Sequence, residues 1–157
     1  MNNRFKMNKR DHKAILDSLA RLLADTENIY LKTKNYHWNS SMPTFHTFNE
    51  MFENQYVELA SAFDLIAERI RAFGIAAPVS HIQFNNPDAL KETSNPPKVQ
   101  EMIQDLLADQ ETIIKTVRSV FYEAINAEDE ITKDLMVQRI QAHEKSASIF
   151  RDYLINK

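Results

Sequence analysis

Three carboxylates and two histidines in this chain are spaced so that cation chemistry is worth testing. On a helix through residues 45–73, with position 49 set to zero, Glu53 falls at about 40°, His46 and Asp64 at about 60°, and Glu68 at about 100°. The apolar residues of the same stretch cluster between about −120° and about −20°, so the polar group flanks the core and does not enter it. Carboxylates with imidazole suit Fe(II), Mn or Zn. The remaining ligands would have to come from elsewhere, with a second subunit as the natural source. The same pattern also fits a plain solvated helix face.

His37, beside the sole tryptophan, Trp38, is the other candidate. It lies on an apolar stripe near a helix end, where an imidazole serves either as a hydrogen-bonded core or interface residue or as a ligand. His143 lies on a later apolar stripe and reads as a packed histidine. His12 and His81 fall in a terminus and a loop and carry little signal. Glu128, Asp129, Glu130 and Asp134 either line a cation inlet where subunits meet or form a solvated turn.

The elements that must hold these residues follow from proline and periodicity. Prolines are confined to positions 43, 78, 87, 96 and 97, leaving long windows free of helix breakers. Ile15, Leu19, Leu22, Thr26, Ile29 and Thr33 recur with alternating spacings of four and three, with Leu16, Leu23, Tyr30 and His37 beside them, predicting a helix over about 11–38. A second stripe runs through Phe45, Phe48, Phe52, Tyr56, Leu59, Phe63, Ile66, Ile70 and Phe73 and stops at Gly74. A third runs Val99, Ile103, Leu106, Gln110, Ile113, Val117, Val120, Ala124. The fourth is Met136, Ile140, His143, Ala147, Phe150, Leu154, after a polar break at 126–130. Each helix is near 40 Å long at 1.5 Å per residue. Segment 75–97 then reads as a long crossover, with a short helix expected around His81–Leu90. Two helical hairpins joined by one long connection make an all-α, ferritin-like four-helix bundle over residues 11–157. The di-metal site built inside such bundles needs Glu-x-x-His on two helices. No Glu-x-x-His occurs in the chain, so that site is absent.

Composition agrees. One glycine stands where average usage of roughly 7% gives about eleven, which all but excludes β-hairpins and Gly-rich phosphate loops. The absence of cysteine removes disulfides, thiolate metal sites and thiol nucleophiles. The formal charge of −3 is uneven: five cations against one carboxylate give residues 1–13 a net +4, leaving −7 on the body. Residues 1–10 are expected to form a flexible basic arm, which either contacts nucleic acid loosely through Arg4, Lys6, Lys9 and Arg10 or merely frays. No signal-like segment or apolar span occurs, so no membrane partner is expected and the location is expected to be cytoplasmic, with association to the nucleoid where DNA is bound.

The segment Lys32-Thr33-Lys34-Asn35-Tyr36-His37-Trp38-Asn39 resembles the K-T-x-N-[FY]-H-W-N signature of the Dps family, the DNA-protecting mini-ferritins of starved bacteria. The likeness continues through Pro43, Phe45, Met51-Phe52-Glu53, Gln55-Tyr56 and Glu58-Leu59-Ala60. It is strongest over Asp64-Leu65-Ile66-Ala67-Glu68-Arg69-Ile70-Arg71-Ala72-Phe73-Gly74, and His143-Glu144-Lys145 also matches. The resemblance implies a hollow homo-dodecamer that oxidises Fe(II), the non-haem iron it handles, with hydrogen peroxide or oxygen at sites between subunits, and stores the ferric mineral. On that basis His37 matches the first ligand histidine, Asp64 and Glu68 the carboxylates across the interface, and Glu53 an assisting acid. Trp38 matches a tryptophan beside the site that intercepts oxidising equivalents or packs the interface. Asn49 departs from the pattern, standing where the family has its second ligand histidine. An amide oxygen is a weaker ligand than imidazole, so the site binds iron loosely, or His46 compensates from one turn away, or fast oxidation is lost. The competing expectation is a structural DNA-compacting shell with vestigial metal chemistry.

Overall fold

The computed structural model describes residues 7–40, 45–78 and 97–155, and these form four helices with no strand among them. They are α1 (Lys9–Asn39), α2 (Phe45–Ala72), α3 (Val99–Asn126) and α4 (Glu130–Ile155). The expected short helix at His81–Leu90 lies outside the described residues, as do Arg4 and Lys6. Lys9 and Arg10 belong to the first turn of α1, which begins earlier than periodicity suggested because Asn8 caps it, its Oδ1 accepting from the Asp11 N–H at 2.8 Å.

Side-chain bonds set the helix directions. Tyr36 and Lys32 meet Asp105, while Asp25 meets Thr116, so α3 runs antiparallel to α1. Glu58 meets Arg139 and Arg69 meets Asp129, so α4 runs antiparallel to α2. His12 meets Phe73 and His37 meets Tyr56, so α2 is antiparallel to α1 as well, and α2 and α3 are parallel, as a bundle of two hairpins joined by one long connection requires.

The predicted stripes are the buried ones. Every α3 stripe residue from Val99 to Ala124 is buried, as are Ile15, Leu19, Leu22, Thr26, Ile29 and Thr33 of α1. Each fully buried aliphatic side chain is worth about 1.5–3 kcal/mol, so this packing outweighs any intrinsic helix preference. The core falls into two apolar clusters. One contains Ile29, Leu59, Ile113 and Met136, the other Phe52, Leu106 and Phe150. Between them lies a polar layer, one residue from each helix: Thr33, Gln55, Gln110 and His143.

His143 is packed, as its stripe position implied, at 1% exposure. Arg139 donates through Nη2 to His143 Nε2 at 3.0 Å, which makes Nε2 the acceptor. The ring proton therefore sits on Nδ1, which donates to Gln110 Oε1 at 2.7 Å. Arg139 in turn donates to Glu58 Oε2 at 2.7 Å. Burial, and then the Arg139 charge, push the His143 pKa down to about 3.

The turn between α3 and α4 overturns the solvated-turn reading for Asp129. Glu128 takes a positive φ of 56°, letting the Glu128 N–H reach Ile125 O and the Asp129 N–H reach Ala124 O. Asp129 then turns inward and is buried. Its Oδ1 accepts from the Thr132 N–H at 3.1 Å, capping α4, and from Arg69 Nη2 at 2.9 Å. Arg69 Nε donates to Thr132 Oγ1 at 2.8 Å. The pair ties the end of α2 to the start of α4. At the end of α2, Gly74 has φ +89°, a conformation that L side chains rarely adopt.

Two outcomes follow. Asp129→Ala leaves the Arg69 charge buried and uncaps α4, so it should cost about 3 kcal/mol or more in urea unfolding, whereas Glu130→Ala on the exposed side should cost under about 1 kcal/mol. His143 is neutral in the fold down to about pH 3, so its contribution is complete above its unfolded value near 6.5 and is lost as pH falls from there. The slope is up to about 1.4 kcal/mol per pH unit. The pH dependence of unfolding between about pH 6 and 4 should flatten in His143→Gln; an unchanged slope would show that carboxylates alone set it.

Candidate metal centre

The end of α1 is held in place from two sides. On the α3 side, Tyr36 donates to Asp105 Oδ2 at 2.5 Å, and Lys32 bridges Asp105 and Asp109 at 3.1 and 2.8 Å. Burial together with the Asp105 bond raises the Tyr36 phenol well above its usual range. Burial opposes the Lys32 charge, but the bonds to Asp109 and Asp105 outweigh it and raise the ammonium pKa. These contacts fix the rotation of α1, and with it the direction of the next residue, His37.

On the α2 side, the His37 ring meets the Tyr56 ring edge-on at 5.2 Å, and Tyr56 meets Tyr30 at 6.3 Å. The Lys34 ammonium lies 5.5, 5.6 and 5.7 Å from the Tyr30, Tyr56 and Trp38 ring centroids and donates to the Tyr30 hydroxyl at 3.2 Å. This lysine-centred aromatic group was not singled out from sequence, although the spacing Tyr30, Lys34, Trp38 places all three on one face. Trp38 is 65% exposed. Ser40 Oγ and Asn39 Nδ2 donate to the carbonyls of His37 and Asn35, closing the helix end.

Both ring nitrogens of His37 are buried with no hydrogen-bond partner among the described residues, and so is Asn49 Oδ1. Buried polar atoms are bonded in the great majority of cases, so three orphans on this one end of the α1–α2 pair demand an explanation. His46 falls in the first turn of α2, and its side chain lies outside the described residues.

Glu53, Asp64 and Glu68 are exposed on α2, and none forms an ion pair among the described residues. Asp64 borders a cleft of about 260 Å³ with Glu27, Tyr30 and Leu31 of α1. Glu68 borders another, with Arg69 and with Ile131 and Asp134 of α4. Tyr56, the neighbour of His37, is separated from Asp64 by eight residues, roughly 12 Å of helix. A single chain therefore does not bring His37 to Asp64 or Glu68. Among the described residues no three histidine or carboxylate groups stand close enough to hold a metal ion. No helix among them is long and apolar enough to cross a membrane.

Known proteins share this fold. The family model for the ferritin-like domain matches residues 16–156. DNA protection during starvation protein 2 of Bacillus anthracis is 29% identical over 143 residues, covering 91% of this chain and 98% of that protein. The crystal structure of antigen TpF1 from Treponema pallidum superposes with a TM-score of 0.83 at 26% identity, over 94% of this chain and 95% of that one. The Dps protein of Vibrio cholerae, described as a member of a broad superfamily of ferritin-like diiron-carboxylate proteins, gives 0.82 at 25% identity, over 94% and 93%. The chain belongs to the ferritin-like family and, within it, to the Dps mini-ferritins.

Proposed function

We propose that this chain is a subunit of a hollow homo-oligomeric shell, a dodecamer by the family pattern, that oxidises Fe(II) at sites shared by two subunits and retains the ferric product. The observation that carries this reading is the unbonded His37 imidazole at the end of α1 together with the unbonded Asn49 carbonyl oxygen in the first turns of α2. Both carry lone pairs that are buried and find no partner among the described residues. The carboxylates Asp64 and Glu68, which form no ion pair among the described residues, lie too far along α2 to serve them. A second copy turned about a two-fold axis brings its Asp64 and Glu68 to the first copy's His37 and Asn49, and by symmetry the reverse. Leu31, Trp38, Val57 and Leu65 are exposed on these two helices and give that second copy apolar surface to cover.

Fe(II) is the substrate. Two ferrous ions give up one electron each. Hydrogen peroxide accepts the pair as its O–O bond breaks, and its oxygens leave as water once protonated; oxygen can replace peroxide as acceptor. His37 and the two carboxylates hold the ion, with Glu53 at the rim. Trp38, adjacent in sequence to His37, stands ready to absorb stray oxidising equivalents. Asn49 weakens the site, because an amide oxygen binds a first-row ion less well than imidazole. The basic residues Arg4, Lys6, Lys9 and Arg10 support a second activity: a charge of +4 near each N-terminus, repeated around a shell, gives multivalent, salt-sensitive contact with DNA despite the acidic body.

Anaerobic Fe(II) loading followed by peroxide tests the first activity. Slow but measurable ferric formation is expected for the native chain, a rate at the protein-free blank for His37→Ala, and binding about tenfold tighter with faster oxidation for Asn49→His. A blank rate in the native chain with no gain in Asn49→His would remove iron oxidation and leave the DNA-binding shell. For that second activity, replacing Arg4, Lys6, Lys9 and Arg10 together by Gln should abolish DNA retardation at about 50 mM salt. Unchanged retardation would rule out the basic residues as the contact.

A further inference from the structure

Among the described residues, the polar layer between the two apolar clusters is incompletely bonded. On its α4 side the chain Glu58–Arg139–His143–Gln110 is continuous. On its α1–α2 side it is not. Thr33, fully buried, has an Oγ1 with no partner; it does not even bond back to its own helix, as Thr26 does to Leu22 O at 2.7 Å. Gln55, 8% exposed, has neither its Oε1 nor its Nε2 bonded, and Arg139, 4% exposed, leaves its Nε unpaired. Gln55 lies one turn before Glu58, the residue that holds Arg139, so the three groups belong to one level of the bundle.

The unused groups define what can fill the gap. Gln55 Nε2 and Arg139 Nε donate, Gln55 Oε1 accepts, and Thr33 Oγ1 does either. The buried guanidinium excludes a metal cation, and Glu58 already neutralises it, so no anion is called for. The remaining ligand is neutral, small, and both donor and acceptor. We propose that the waist of the bundle is a binding site for ordered internal water, which bridges Thr33, Gln55 and Arg139 Nε and completes the polar layer. Three or four such partners are the usual complement of a buried water. This site is separate from the shared iron centre, and its existence does not depend on iron binding.

A crystal structure of the full chain at about 1.5 Å is the direct test. Density for water within hydrogen-bonding distance of Gln55 and of Thr33 Oγ1 or Arg139 Nε is expected, and a dry waist overturns the proposal. Urea unfolding of Thr33→Val and Gln55→Met supplies an independent sign. If water satisfies these groups, each variant strips the water of a partner and should lower the midpoint by about 0.5 M. If the groups are truly orphaned, each variant removes an unpaid desolvation cost and raises the midpoint, which overturns the proposal. Should either variant fail to assemble, the native crystal structure decides alone.

Discussion

An imidazole with both nitrogens buried and unbonded among the described residues, as at His37, is the constraint on which the proposed centre rests. A buried polar group without a partner costs about 1–3 kcal/mol, and Asn49 Oδ1 adds a second such cost nearby. Contacts on both sides hold the end of α1 that carries His37: Tyr36 and Lys32 are bonded to Asp105 and Asp109, and Tyr56 meets the ring edge-on.

The same clamping separates two kinds of polar residue that the sequence presents alike. His37 and His143 both sit on apolar stripes, yet His143 is satisfied within the chain by Arg139 and Gln110. Its lone pair is spent on a guanidinium and its pKa is driven down by burial, which fits it for holding helices together and unfits it for binding a cation. Periodicity cannot distinguish the two cases, because both demand the same position on the helix. Only the identity of the residue facing each one decides.

That distinction marks how far the residues could be read directly. The four helices, the crossover and nearly every core position were legible, since the burial of apolar stripes depends on spacing alone. The inward turn of Asp129 was not: it sits in a run of Glu128, Asp129 and Glu130 whose composition says solvent. Its burial depends on Arg69, sixty residues away in sequence and adjacent only once α2 and α4 pack. The Lys34 group and the Glu58–Arg139 link are likewise products of helix register. The carboxylates Asp64 and Glu68 were legible as an outward-facing pair, and both are exposed on α2.

The waist of the bundle explains why metal chemistry would sit at the surface at all. In a four-helix bundle the centre is the natural place for a carboxylate-bridged site, with one ligand or more from each helix. Here each helix does place one polar residue at that level, but Thr33, Gln55 and Gln110 are neutral, and the one imidazole is held by Arg139. A cation entering there would meet a buried guanidinium, and displacing it would leave Glu58 without its partner. The interior is thus electrostatically closed to iron. Sealed lone pairs remain on His37 and Asn49, and unpaired carboxylates at Asp64 and Glu68, all on the α1–α2 pair. On the proposed reading an ion that needs both sets is held where two such pairs face each other, which would couple assembly to metal binding.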